Sequence, residues 1–169
     1  PQMRKLSLLL LPLALVLLSV WQAQAQKVTE PQWIWFDEGN PLTGAPAETR
    51  YFRRTFAINR PVPNPVQSAT LEITADNTFT VWINGTKVGS GDSWETVQKF
   101  DVQKHLKHGP NVLAVEAGNE GGAAGLVVKL SFVPNGRSGD VIASDGKWKA
   151  SKTAGKDWQS ETFDDRKWT

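Results

Sequence analysis

Three short segments hold the residue types that recognise a sugar in water. Such recognition takes an aromatic face for the C–H side of a pyranose and fixed polar groups for its hydroxyls. Trp94 lies in Gly91-Asp92-Ser93-Trp94-Glu95, with carboxylates near it on both sides, a pattern that fits a stacking platform. The same tryptophan would equally well cover one end of a β-sandwich. Asp76-Asn77 falls between two strand patterns and offers oxygen ligands to a sugar or to Ca2+, although Asx residues also make good turns with no ligand at all. Asn119-Glu120, in the glycine-rich stretch Gly118–Gly125, are expected to face the same end of the fold. The alternative for that pair is a flexible loop.

Catalytic chemistry has no comparable support. Glycoside hydrolysis needs two carboxyl groups converging across a cleft, whereas Asp164-Asp165 are neighbours in a polar tail. His105 and His108 stand three apart with no third ligand nearby, which reads as a solvated turn rather than a metal site. No Gly-x-Ser-x-Gly elbow, phosphate loop or zinc helix occurs. The chain has no cysteine, which removes disulfides, thiolate zinc sites and cysteine nucleophiles. The chain by itself is therefore expected to be non-catalytic.

The candidate residues are spaced by strand patterns. Phe79–Ile83 alternates as a strand, Asn84-Gly85 supplies the positive φ that a type I′ turn demands, and Thr86–Ser90 returns as the partner. Gln32–Phe36 reads as a first strand, with Trp33 and Trp35 on one face and packed into the core. Arg50–Ile58 puts Phe52, Phe56 and Ile58 on one side and Tyr51, Arg53 and Thr55 on the other. Ser68–Ala75, Val112–Ala117 and Leu126–Phe132 complete the clear strands, and Asp101 is placed to cap a short helical turn ending at Leu106. Asp37–Ala47 reads as a surface loop, and the prolines of Arg60–Pro65 must leave the sheet. Asp140–Thr169 has a weaker pattern, and its abrupt end predicts further protein beyond Thr169. Seven or eight short strands with almost no helix predict an all-β fold, an antiparallel β-sandwich.

The first 25 residues read as an export signal: Arg4-Lys5, the apolar run Leu6–Val20, and the small-x-small site Ala23-Gln24-Ala25. Cleavage ahead of Gln26 predicts a secreted or periplasmic domain over residues 26–169, with no stable membrane insertion. It also removes two of the 19 Lys and Arg residues, leaving 17 basic against 17 acidic groups. No basic stripe then remains for nucleic acid. Seven of the eight tryptophans stay in the mature part, enough for both a core and an aromatic platform.

ADNTFTVWINGTKVG and FDVQKHLKHGPNVLAVEA resemble the successive signatures of galactose-binding-like jelly-roll domains, as in the sugar-binding domains of glycoside hydrolase family 2 and the N-terminal modules of bacterial α-L-rhamnosidases. SDGKWKAS with FDDRKW is similar to the sandwich-closing segment of such proteins. The resemblance implies a jelly roll, and it implies that Asp and Asn near Asp76-Asn77 serve calcium and sugar. The expected function is a non-catalytic carbohydrate-binding accessory module of an exported multidomain protein, with a polysaccharide or glycan as partner and a glycoside hydrolase as parent. The alternatives are a structural or interaction module joined to a cytochrome-like or other domain, and an N-terminal fragment of a hydrolase such as an α-L-rhamnosidase.

Overall fold

The computed structural model describes residues 30–59, 65–136 and 138–169. The expected export signal and its cleavage site lie outside the described residues, as does the proline-rich break except for Pro65. Nine strands are described: β1 (Thr49–Ile58), β2 (Val66–Asp76), β3 (Thr78–Ile83), β4 (Thr86–Gly91), β5 (Gln98–Asp101), β6 (Gly109–Gly118), β7 (Gly125–Pro134), β8 (Asp140–Ala143) and β9 (Lys149–Ser151). They form two antiparallel sheets, ordered β4-β3-β6-β1-β9 and β5-β2-β7-β8. The fold is the expected all-β sandwich.

Alternation decides what the two sheets bury between them. Leu71, Ile73 and Ala75 of β2 and Leu126, Val128 and Leu130 of β7 face Phe79, Val81 and Ile83 of β3 and Leu113 and Val115 of β6. The β3–β4 turn has positive φ at both Asn84 (51°) and Gly85 (81°). Asn84 also ties the hairpin to the next loop: its Nδ2 donates to Asn111 Oδ1 (2.8 Å) and to the His105 carbonyl (2.9 Å). Asn111 is fully buried, and its own amide donates to the Lys107 and Gly109 carbonyls. The Asp101 carboxylate accepts the Gln103 N–H (3.1 Å) at the start of the 3-10 turn Gln103–His105.

Two regions depart from the sequence expectation. Among the described residues Gln32–Phe36 makes one bridge, Ile34 with Leu126, where it fills the edge of β7 beyond the end of β8. With no ladder to hold both tryptophans on one sheet face, they separate. Trp35 packs against Phe52 (ring centroids 5.5 Å apart), while Trp33 is 55% exposed. The tail also does more than its weak pattern suggests. After β9 it crosses the outer face of the five-stranded sheet, where buried Trp158 meets Tyr51 and Trp82 edge-on and stacks on Trp168.

Candidate functional site

A cleft of about 260 Å³ opens where β2 ends and β7 begins, on the outer face of the four-stranded sheet. Trp33 and Trp94 flank it, Asp76 and Gly125 lie at its floor, and Leu42 with Ala123 forms its rim. Asp76 and Gly125 are direct partners in the β2–β7 register. Trp94 is held by Thr74, whose Oγ1 donates to the carbonyls of Ser93 (2.9 Å) and Trp94 (3.1 Å) and so ties the loop down onto the sheet. The indole itself stays 53% exposed.

Trp33 is placed by what Gly125 lacks. A Cβ added at Gly125 would stand 2.4 Å from Trp33 Cε3, so the ring rests against bare backbone. Gly125→Ala must therefore displace the indole. Because Trp33 is exposed, the ring has room to move and the fold should survive. The expected result is a folded variant, with Trp33 fluorescence shifted and any ligand affinity of the cleft reduced about tenfold. An Ala variant with unchanged fluorescence and affinity would refute this placement.

Asp76 and Trp94 thus come together, whereas the other sequence candidates brace the loops behind them. The Asn77 N–H donates to the Gly118 carbonyl (2.8 Å), and its Oδ1 accepts the Glu120 N–H (2.7 Å). Asn119 is buried, and its Nδ2 donates to the carbonyls of Ala45 (3.1 Å) and Pro46 (2.9 Å). The Glu120 side chain is exposed. The glycine-rich stretch is tied down as well: Ala45 bridges Gly122, and the Ala124 N–H donates to the Pro41 carbonyl (2.8 Å). The surface loop over residues 37–47 and this stretch therefore hold each other, which sets Leu42 at the rim of the cleft.

Among the described residues, no group of three or more His, Asp or Glu is arranged to hold a metal ion. Among the described residues Asp76 is the one carboxylate lining the cleft. A Ca2+ ion there would need backbone carbonyls, water and ligand hydroxyls to fill its six to eight positions. Asp164 and Asp165 do not converge, because Asp164 takes the Arg166 guanidinium (2.7 Å) while Asp165 takes Arg53 (3.1 Å) and Lys149 (2.9 Å). His105 is drawn below the usual imidazole value by burial, and His108 Nδ1 lies 3.1 Å from the Ile58 carbonyl oxygen.

Sequence reasoning missed Trp33 and Leu42. Period-two spacing assigned Trp33 to the core, and Leu42 stands in a loop with no periodicity to place it. The trace of the Trp33 contact in the sequence is Gly125, a glycine at the head of an apolar strand, which marks close approach by another group.

The family model described as the β-galactosidase second all-beta domain matches residues 20–123. An α-L-rhamnosidase of Streptomyces avermitilis is 38% identical over 154 residues, 86% of this chain and 14% of the rhamnosidase. The crystal structure of Streptomyces avermitilis α-L-rhamnosidase complexed with L-rhamnose is similar with a TM-score of 0.74 and 36% identity, over 82% of this chain and 14% of that one. The lectin of Pleurotus ostreatus in complex with GalNAc gives a TM-score of 0.71 and 30% identity, over 82% of this chain and 40% of the lectin. The chain therefore spans about one-seventh of the length of the curated relative it matches. The likeness to the rhamnosidase is to a β-sandwich portion of a much larger glycoside hydrolase. By the extent of the family match and by its fold, the chain belongs to the family of the β-galactosidase second all-beta domain.

Proposed function

We propose that this chain is a non-catalytic carbohydrate-binding module of an exported multidomain glycoside hydrolase, and that the Trp33–Trp94 cleft is its sugar site. The observation that carries the reading is two half-exposed tryptophans flanking one carboxylate in a cleft of monosaccharide size. The indoles take the C–H faces of a pyranose, and Asp76 accepts its hydroxyls. Asn77 and Asn119 serve the site by holding its loops, Asn77 through the backbone N–H of Glu120. The rhamnosidase relative is complexed with L-rhamnose and the lectin with GalNAc, so these two sugars are the first ligands to try. Leu42 and Ala123 make an apolar rim that suits the methyl group of a 6-deoxyhexose such as L-rhamnose. The parent activity most in keeping with the relatives is that of an α-L-rhamnosidase, carried by further domains. Export through residues 1–25 belongs to the same proposal, and N-terminal sequencing of the exported protein should read Gln26 first.

Titration calorimetry with L-rhamnose and GalNAc tests the site. Losing one anchor from a shallow site removes about 1–3 kcal/mol, roughly one to two decades in affinity. Trp33→Ala, Trp94→Ala and Asp76→Ala should each weaken binding by that much, and Thr43→Ala should leave it unchanged. A one-carboxylate calcium site is a weak one, in the submillimolar to millimolar class. If Ca2+ bridges Asp76 to the sugar, EDTA lowers the affinity; if EDTA has no effect, Asp76 meets the hydroxyls directly. A wild-type chain that binds no sugar would leave the structural-module reading as the better one.

A further inference from the structure

The tryptophan cleft continues along the sheet. The β2–β7 register pairs Asp76 with Gly125, Thr74 with Val127 and Glu72 with Lys129, all on the outer face. Beyond Thr74 this face holds a second hollow of about 200 Å³, lined by Pro31, Val97, Val127, Glu72 and Lys129. The two hollows share their walls. Trp33 and Pro31 come from one segment on one side, and Trp94 and Val97 come from one loop on the other. From Asp76 to Glu72 is four residues of extended strand, about 13 Å, which is longer than one pyranose ring. The far end carries a row of charges across the sheet, Lys99–Glu72–Lys129. Lys99 and Glu72 neutralise each other through an ion pair of 2.6 Å. Glu72 also attracts the Lys129 ammonium opposite it, so two lysines share one carboxylate and the row carries one net positive charge.

We propose that this second hollow is a subsite for a uronic-acid residue of the glycan, with Lys129 receiving the carboxylate and with Pro31, Val97 and Val127 lining the sugar ring. The inference rests on the tryptophan cleft being the sugar site, and it adds the class of the neighbouring residue. One net positive charge at the end of an apolar groove matches one carboxylate per sugar. A neutral sugar would leave that excess charge unbalanced.

The test titrates the full chain at low salt with L-rhamnose and with two disaccharides of identical linkage, rhamnosyl-glucose and rhamnosyl-glucuronic acid. The uronate disaccharide should bind about threefold more tightly than the neutral one, the size expected of an exposed ion pair. The preference should shrink as salt is added. In Lys129→Gln the two disaccharides should bind alike, and Lys129→Arg should restore the difference. Equal binding of the two disaccharides by the wild type, or a preference that survives Lys129→Gln, overturns the subsite while leaving the tryptophan cleft standing. A chain that binds none of the three sugars overturns both.

Discussion

Asp165→Ala should lower the stability of the fold by about 3–5 kcal/mol, the usual cost of leaving a buried charge without its partner. Arg53 is on the outer face of β1, yet its side chain is fully buried because the tail lies across it. Its Nε donates to Asp165 Oδ2 (3.1 Å), and its Nη1 donates to the carbonyls of Trp158 and Ser160. Phe163 closes over the guanidinium at 5.1 Å. Burial would raise the Asp165 carboxyl above its usual value, but the ion pairs with Lys149 and Arg53 outweigh burial and hold it below. Removing this carboxylate strands a cation that water cannot reach, and Trp158, Trp168 and Phe163 should loosen together with it. Urea denaturation should show a lower midpoint. The double variant Arg53→Met with Asp165→Leu should recover much of the loss, because neither charge is then buried. An Asp165→Ala protein within about 1 kcal/mol of wild type would show that the tail is held by its aromatic contacts alone.

This cation explains what the sequence could not disclose. The clear strands were legible because an inward face repeats every second residue, as in Leu126, Val128, Leu130 and Phe132, and because Asn84-Gly85 specifies its own turn. Arg53 obeys that alternation and points outward. That it is buried depends on residues more than a hundred positions away, in a tail with no periodicity of its own. The cleft behaves in the same way. Asp76 and Trp94 could be singled out by chemistry, but their convergence comes from Thr74 pinning the Trp94 loop. Strand alternation would put Trp33 in the core, but its segment makes a single bridge among the described residues, Ile34–Leu126, and the ring turns outward. Polar residues near a site are ambiguous for a related reason. Asn77 and Asn119 look like ligands in the sequence, but Asn77 Oδ1 accepts the Glu120 N–H and Asn119 Nδ2 donates to the carbonyls of Ala45 and Pro46.

Glu38→Gln should lower stability by about 3 kcal/mol near neutral pH and abolish most of the acid sensitivity that this carboxylate confers. Arg50, at the start of β1, is 1% exposed and grips Glu38 with two hydrogen bonds, Nε to Oε1 (2.7 Å) and Nη2 to Oε2 (2.6 Å). Lys152 reaches the same carboxylate from beyond β9 (2.9 Å), and both cations lie near the Phe36 ring. The Arg50 hydrogen bonds, with Lys152 assisting against the cost of burial, hold the Glu38 carboxyl at about 2, down from the usual 4.5. A depressed carboxyl stabilises the folded state fully above its unfolded value. That contribution fades as the pH falls from about 4.5 to about 2, and the shift corresponds to about 3 kcal/mol. The glutamine substitution keeps the shape but removes the charge. Glu48 still pairs with Arg50 at 2.7 Å, so the loss should stay near the lower end for a broken buried pair. The loop anchored at Glu38 also carries Leu42 to the cleft rim, so the sugar affinity proposed for the cleft should weaken modestly in the same variant. Urea denaturation of wild type and Glu38→Gln from neutral pH down to about pH 2 would decide the matter: the two stability curves should converge as the pH falls. Curves that run parallel through that range would mean that Arg50 draws its compensation from Glu48 instead.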